Sequence, residues 1–234
     1  MPPTPDHWRL CAELCNKIPN CTVSVISPPL APNSPAPVAF PQLCELYTAL
    51  MDAEEKSAAK GEGEIITFGG DSSGGQLALT LVLAMLSETK DHARKNDPDS
   101  IFVMSPSVQC TPMDKTDPKI QAVQKLDPLL EVDASNAGAA KWAGNWNLAD
   151  PRLTPLNADV SVLVEHRVRL YGVTGHNDVR APAALEFRDM CAKAGVEGEW
   201  LEWKGQLHCF PLMWVYWIRE GNEGKDWIVD VLSR

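Results

Sequence analysis

The sequence predicts an α/β domain in which a mostly parallel β-sheet is flanked by helices. Short segments rich in β-branched and aromatic residues alternate with longer helical patterns, and most of the short ones are bounded by Gly, Pro, Asn or Ser. Parallel strands need long crossover connections, so this alternation covers both faces of a sheet with helices. With 234 residues, 44% of them hydrophobic, the chain is expected to form one domain, residues 1–234.

The individual elements follow from this alternation. The predicted strands are Thr22 to Ile26, Glu64 to Phe68, Ile101 to Met104, Val168 to Val173 and Glu199 to Trp203. The predicted helices are Trp8 to Lys17, Gln42 to Lys60, Gly75 to Ser87, Pro182 to Ala194 and a last candidate, Leu212 to Leu232, interrupted at Glu220-Gly221-Asn222.

Two segments do not fit the alternation. The proline-rich segment Ser27 to Pro41 predicts an extended surface loop, because proline can neither pair in a sheet nor continue a helix. The segment 111–159 is long and contains a plausible helix through Ala137 to Trp146. Because long insertions in compact domains often cover a site, this segment is predicted to be a lid or substrate wall.

Composition excludes several classes of function. Lys and Arg total 21 against 31 Asp and Glu, and no basic cluster interleaved with aromatic residues occurs, so nucleic acid and anionic membranes are unfavourable partners. The seven cysteines form neither a CxxC pair nor a paired zinc-ligand pattern, which favours reduced thiols in an intracellular protein. The sequence contains no apolar run of about 20 residues and no signal peptide, so we expect a cytoplasmic protein without a membrane span.

The stretch Phe68 to Leu77, FGGDSSGGQL, indicates a candidate nucleophile. A serine at a tight turn from a strand into a helix adopts a strained backbone, which requires small residues two positions before and two after it. Gly70 and Gly74 satisfy that requirement for Ser72. Because a predicted strand precedes the motif and a predicted helix follows it, we expect Ser72 to be a catalytic nucleophile rather than part of a flexible turn.

The neighbours of Ser72 have other predicted roles. A frame centred on Ser73 would need a small residue where Asp71 stands, so Ser73 is not the candidate nucleophile. Its backbone N–H is expected at the start of the following helix, where it could bind a developing oxyanion. Gly70, Asp71, Gly74 and Gly75 are predicted to support the turn.

A serine nucleophile needs a base to take its proton and an acid to orient that base. Where the serine stands on such a turn, the acid and then the histidine follow it in the chain, each after a strand of the sheet. Asp178 follows the predicted strand VRLYGV, and His208 follows EWLEW. Both residues are therefore expected at the same edge of the sheet as Ser72, with His208 as the base and Asp178 as the acid.

Other candidates for these roles are weaker. His176 is predicted in a loop, and Asp189 is predicted to face solvent from the middle of a helix. His92 and His166 have polar surroundings and are predicted at the surface, while Cys209 is predicted to be a buried thiol.

The motif also contains the Gly-Asp-Ser of trypsin-like proteases. Those enzymes place a histidine and an aspartate before the serine on an all-β scaffold. Here only His7 precedes Ser72 among the histidines, and the predicted fold is α/β. A trypsin-like protease is therefore not the favoured interpretation.

The motifs together resemble a known family. Gly-Asp-Ser-Ser-Gly-Gly, with Asp178 and His208-Cys209-Phe210 downstream, resembles the hormone-sensitive-lipase branch of the α/β hydrolases (α/β hydrolase fold-3), esterases and lipases that include arylacetamide deacetylase. The resemblance extends over nearly the whole chain through Leu30-Ala31-Pro32, Ser105-Pro106, Asp150-Pro151-Arg152 and Pro155-Leu156. It implies hydrolysis of esters of small or medium acyl groups through an acyl-serine intermediate, with a small-molecule ester as partner and neither metal nor organic cofactor.

The sequence also departs from that family. The family carries a His-Gly-Gly-Gly motif upstream that supplies the rest of the oxyanion hole, whereas no glycine precedes Gly61 here. Pro28 and Pro29 replace the family's tyrosine and arginine. The expectation is an N-terminally shortened hydrolase. Two alternatives therefore stay open: a catalytically impaired binding or interaction protein on the same fold, and a lactonase or amidase with the same triad.

Overall fold

The computed structural model describes residues 3–88 and 97–234. Within them, four parallel strands form one sheet in the order β1-β2-β3-β4, which confirms the predicted α/β fold class. The strands are β1 (Thr67–Asp71), β2 (Ser100–Met104), β3 (Arg169–Asn177) and β4 (Gly198–Leu207).

Helices cover both faces of the sheet. They are α1 (Pro5–Lys17), α2 (Ala36–Ala58), α3 (Ser73–Glu88), α4 (Pro118–Gln124), α5 (Val132–Ala143), α6 (Ser161–Glu165), α7 (Ala181–Ala194) and α8 (Arg219–Leu232), with 3-10 turns at Pro155–Asn157 and Phe210–Tyr216. None of these helices is both long enough and apolar enough to span a bilayer.

Strand β2 shows how the two-sided core is built. Successive side chains of a strand point to opposite faces. Ile101 and Val103 belong to the larger core cluster, formed with α2, α3, α6 and α7. Phe102 and Met104 belong to a second cluster, formed with α1 and α8. Every residue of β2 is buried, as expected for a parallel strand covered on both faces.

Some predicted strand positions are wrong. Thr22 to Ile26 has no regular secondary structure and is largely exposed, because its alternating pattern finds no bonded neighbour strand within the described residues. Strand β1 begins three residues later than predicted, since its pairing starts with Thr67 opposite Ser100. Strands β3 and β4 both run further than predicted because they pair with each other as far as Asn177 and Leu207.

The proline-rich segment is only partly a loop. Helix α2 begins at Ala36, with Pro37 in the first turn, where a missing N–H breaks no helical hydrogen bond. Pro41 lies inside the helix. The predicted break at Glu220-Gly221-Asn222 is also wrong, because these residues form the first turn of α8 and the chain instead turns at Trp217, which has a positive φ.

The segment 111–159 folds as short helices packed beside the sheet. It contains α4 and α5, and α5 begins five residues before the predicted helix. Ala143 and Leu153 form a small core with Ala36 and Cys110, while Ile120 and Val132 pack on Val179. A lid or substrate-wall function for this segment stays a prediction.

Candidate active site

Ser72 occupies the turn between β1 and α3. Its φ is +51°, a left-handed conformation that is uncommon for residues other than glycine and often occurs at functional sites. The Ser72 N–H donates to the carbonyl of Met104 at 2.8 Å, and its own carbonyl accepts from Gln76 at 3.1 Å and Ser107 at 3.0 Å. The strained turn is therefore held by β2, by α3 and by the loop after β2.

Close packing requires glycine at position 70 and leaves little room for a side chain at position 75. A Cβ on Gly70 would stand 2.4 Å from the carbonyl carbon of Gly74, so only glycine fits there. A Cβ on Gly75 would stand 3.1 Å from the carbonyl oxygen of Gly70 and 3.2 Å from Pro106. Gly74 has open space where its Cβ would be.

The predicted acid and histidine meet at the carboxyl ends of β3 and β4. Nδ1 of His208 lies 2.7 Å from Oδ2 of Asp178, and the Asp178 side chain is completely buried. The backbone N–H of Arg180 donates to the other carboxylate oxygen at 2.8 Å. With Asp178 as acceptor, His208 carries its proton on Nδ1, which leaves Nε2 available to accept a proton from a serine.

The loop after His208 is tied to the strand next to Ser72. The Cys209 N–H donates to Oγ of Ser105 at 3.0 Å, and the Ser105 N–H donates to the carbonyl of Val173 at 2.8 Å. Ser105 and Cys209 have φ angles of +44° and +52°. Three strained turns, including that of Ser72, thus gather at one edge of the sheet.

Cys209 is a buried thiol, as predicted. Burial, together with the charges of Asp71 and Asp178, raises its pKa well above the ordinary range. A thiol that resists ionisation is a poor nucleophile.

Asp71 contacts His7, which belongs to no sequence motif. Its Oδ2 lies 3.2 Å from Nε2 of His7 in α1 and 3.8 Å from the sulfur of Cys209. Burial alone would raise the pKa of Asp71, but the hydrogen bond and positive charge of His7, together with the charge of His208, outweigh it and lower the pKa. The same hydrogen bond raises the pKa of His7 against the opposing effect of burial. The hydrogen bond between Asp71 and His7 therefore connects the serine turn to α1.

The remaining candidates lie elsewhere. His176 stands within β3 rather than in a loop and pairs with Glu202 at 3.0 Å. His166 is not at the surface as predicted: its side chain is 3% exposed and lies 2.6 Å from Asp97. Asp189 faces solvent, as predicted, while His92 lies outside the described residues.

In the part of the chain that the structure describes, neither a metal-binding cluster nor the cavity between α2 and α3 lies at this edge. Among the described residues, no three His, Cys, Asp or Glu side chains are arranged to hold a metal ion. A cavity of about 460 Å³ lies between α2 and α3, lined by Cys44, Thr48, Asp52, Met85 and Glu88 among others. None of the candidate catalytic residues lines it.

Comparison with known proteins identifies the family. Residues 2–212 match the family model described as alpha/beta hydrolase fold. An esterase of Acinetobacter venetianus is 27% identical over 218 residues, which are 93% of this chain and 65% of that protein. The chain thus spans about two thirds of the length of this curated relative.

Solved structures agree on the fold. An esterase from the bacterial hormone-sensitive lipase family superposes with a TM-score of 0.78 at 21% identity, covering 97% of this chain and 70% of that one. A hormone-sensitive lipase from a metagenome library gives 0.77 at 20% identity, covering 94% and 69%. With the family model matching most of its residues, the chain belongs to the α/β hydrolases, as its resemblance to the hormone-sensitive-lipase branch predicts.

Proposed function

We propose that this protein hydrolyses carboxylic esters through an acyl-serine intermediate, with Ser72 as nucleophile, His208 as base and then acid, and Asp178 as the group that orients His208. The observation that supports this most is a positive-φ serine between β1 and α3 at the same sheet edge as a buried His–Asp hydrogen bond of 2.7 Å. Family membership and the similarity to a curated esterase support the same chemistry.

The reaction proceeds in two halves. Oγ of Ser72 attacks the ester carbonyl while Nε2 of His208 takes the hydroxyl proton, and the imidazolium is stabilised by Asp178. Collapse of the tetrahedral intermediate releases the alcohol, which receives that proton from His208. A water molecule, deprotonated by His208, then attacks the acyl-serine, and collapse of that intermediate releases the acid while His208 returns the proton to Oγ of Ser72.

The oxyanion of each tetrahedral intermediate needs hydrogen-bond donors. Ser73 is the first residue of α3, and the first N–H groups of a helix have no acceptor within the helix. We assign the Ser73 amide to the oxyanion, aided by the positive end of the helix dipole. Loss of one oxyanion donor typically lowers turnover about 10²- to 10³-fold, so with this single assigned donor we expect slow turnover.

The substrate is proposed to be an ester of a small or medium acyl group that enters beneath the segment 111–159. That segment contacts the site through the backbone carbonyl of Leu153, which accepts a hydrogen bond from the side chain of Gln76, one turn into α3 after Ser72. Residues of this segment would then set acyl selectivity.

The test is hydrolysis of 4-nitrophenyl butyrate by the wild-type chain and by Ser72→Ala, with folded content matched by circular dichroism. We expect Ser72→Ala to fall to the background rate, whereas Ser73→Ala, which keeps its backbone amide, should lose far less. A fluorophosphonate probe followed by peptide mass spectrometry should label Ser72. Equal rates from two folded proteins, with no labelling, would refute the hydrolase and favour a binding role on this fold.

A further inference from the structure

Arg180 stands beside the candidate catalytic residues, but the hydrolysis proposed above does not use its side chain. Its Nη1 donates to the hydroxyl of Ser107 at 2.5 Å, and its backbone N–H bonds to Asp178. The N–H of Ser107 in turn donates to the carbonyl of Ser72. The guanidinium is therefore held close to the turn that carries the candidate nucleophile.

The positive charge of Arg180 is not neutralised by an ion pair. Within residues 3–88 and 97–234, no carboxylate lies at ion-pair distance from the guanidinium. The carboxylates that act on it from further away are Asp178 and Asp127. Asp178 is hydrogen-bonded to His208, and Asp127 accepts hydrogen bonds from backbone amides, including that of Val179.

Because Arg180 is largely buried, the lack of an ion-pair partner for its guanidinium is energetically unfavourable. Nε of Arg180 is buried and has no hydrogen-bond acceptor, and burial lowers the pKa of Arg180 because the charged form is desolvated. By contrast, Arg9, Arg152, Arg219 and Arg234 are more exposed, and each pairs with a carboxylate. A buried donor without an acceptor is rare in native proteins, and a bound acceptor would explain it.

We propose that Arg180 binds the free carboxylate of a carboxylate-bearing ester substrate. The inference rests on the proposed function and deepens it by naming a substrate class. Nη1 of Arg180 already donates to Ser107, so a carboxylate would bind on the side of Nη2 and Nε. A guanidinium presents these two donors side by side, and a carboxylate that binds both would also neutralise the positive charge. Helix α7 begins directly after Arg180, and its N-terminal end also favours an anion.

The carboxylate could belong to the acyl part or to the alcohol part of the ester, and two pairs of substrates distinguish these cases. On the acyl side, mono-4-nitrophenyl adipate is compared with its methyl ester. On the alcohol side, 4-acetoxybenzoate is compared with its methyl ester. In one pair, we expect wild type to favour the charged ester in kcat/KM by about tenfold or more, as a charge-assisted bidentate pair would give.

Substitution of Arg180 separates recognition from a structural role. Arg180→Gln should reduce the charged-to-neutral ratio to about one, and Arg180→Lys, which keeps the charge but loses the planar fork, should give an intermediate ratio. Arg188→Gln, inside helix α7 and paired with Asp189, is the matched control and should keep the wild-type ratio. A wild type without preference, or an Arg180→Gln variant that loses activity equally on both esters, would overturn the inference.

A binding measurement keeps this inference independent of turnover. Ser72→Ala is titrated with monomethyl adipate and with dimethyl adipate by calorimetry. We expect the charged monoester to bind about tenfold more tightly, and Ser72→Ala/Arg180→Gln to lose the difference. Equal binding of the two esters contradicts the role of Arg180, whereas absent hydrolysis with preferential binding contradicts only the proposed catalysis.

Discussion

Two buried His–Asp pairs lie at opposite edges of the same sheet. His208 and Asp178 are 2.7 Å apart at the carboxyl ends of the strands, and His166 and Asp97 are 2.6 Å apart at the amino ends. Their burial is also similar. A short His–Asp hydrogen bond is therefore not by itself the mark of a catalytic site.

The surroundings of the two pairs differ. The loop of His208 is bonded through Cys209 to Ser105, next to the strand that precedes Ser72. The pair of His166 instead joins the chain segments that lead into β2 and β3, and nearby Asp99 anchors the entry to β1 by accepting from the Ile66 N–H at 2.8 Å. The carboxyl-end pair lies at the sheet edge that carries Ser72, as the proposed mechanism requires, while the amino-end pair joins the entries to two strands.

Removing each histidine in turn should give the largest difference between the two pairs. His208→Ala should lower kcat by about 10⁴- to 10⁶-fold, because the base and acid are lost together. His166→Ala should change kcat less than about threefold but lower the free energy of unfolding by about 1–3 kcal/mol, since a buried carboxylate loses its partner. Ester kinetics and urea unfolding measure both effects, and a catalytic loss in His166→Ala would contradict the assignment.

Substitution of the aspartate in each pair should give the next largest difference in kcat. Asp178→Asn should reduce kcat by up to about 10⁴-fold, because an amide can stabilise the wrong His208 tautomer while leaving the geometry intact. Asp97→Asn is the matched control and should leave kcat near wild type. The two variants are compared by ester kinetics, and equal losses would show that neither pair is specific to the reaction.

Glycines at the serine turn allow a steric test. Gly70→Ala places a Cβ 2.4 Å from backbone, so we expect destabilisation by about 2–4 kcal/mol and reduced turnover in the fraction that stays folded. Gly74→Ala meets open space in the first turn of α3 and should change stability by less than about 1 kcal/mol. Thermal unfolding and kinetics at matched folded content check both. A neutral Gly70→Ala variant would argue against the tight turn.

The smallest predicted effect concerns the pair of His7 and Asp71. The raised pKa of His7 means that its stabilisation is complete below the ordinary value of 6.5 and lost as pH rises through the folded-state value. The lowered pKa of Asp71 means that its stabilisation is complete above 3.8 and lost as pH falls through the folded-state value. The pair therefore contributes most between about pH 4 and 6.5.

Urea unfolding of wild type and His7→Gln measures this contribution. The difference between them should be about 0.5–1 kcal/mol at pH 5.5, because the pair is only partly exposed, and smaller at pH 9. A difference that is constant with pH, or that grows toward pH 9, would show that His7 acts through packing rather than charge.

Much of this architecture was predictable because its signals are local. Hydrophobic runs and turn residues located β2, β3, β4, α3 and α7 to within a few residues. The strand predicted at Thr22 to Ile26 is wrong because a strand exists only where a neighbouring strand bonds to it. The start of α2 at Ala36 was not predicted because proline, which usually ends a helix, is tolerated in a first turn. His7 and Arg180 belong to no sequence motif, and only their contacts in the folded chain show that they lie near the candidate site.

Local sequence is enough to show that a serine stands between small residues after a strand, and that an acid and a histidine follow later strands. The hydrogen bond of Asp178 to His208 depends on strand pairing. The register of β3 against β4 places Asn177 opposite Leu207 and so aligns the two residues that follow them. Tertiary packing also places His7 beside Asp71 and leaves Arg180 without an ion-pair partner among the described residues. Charges distant in sequence become partners only through packing, which local pattern cannot encode.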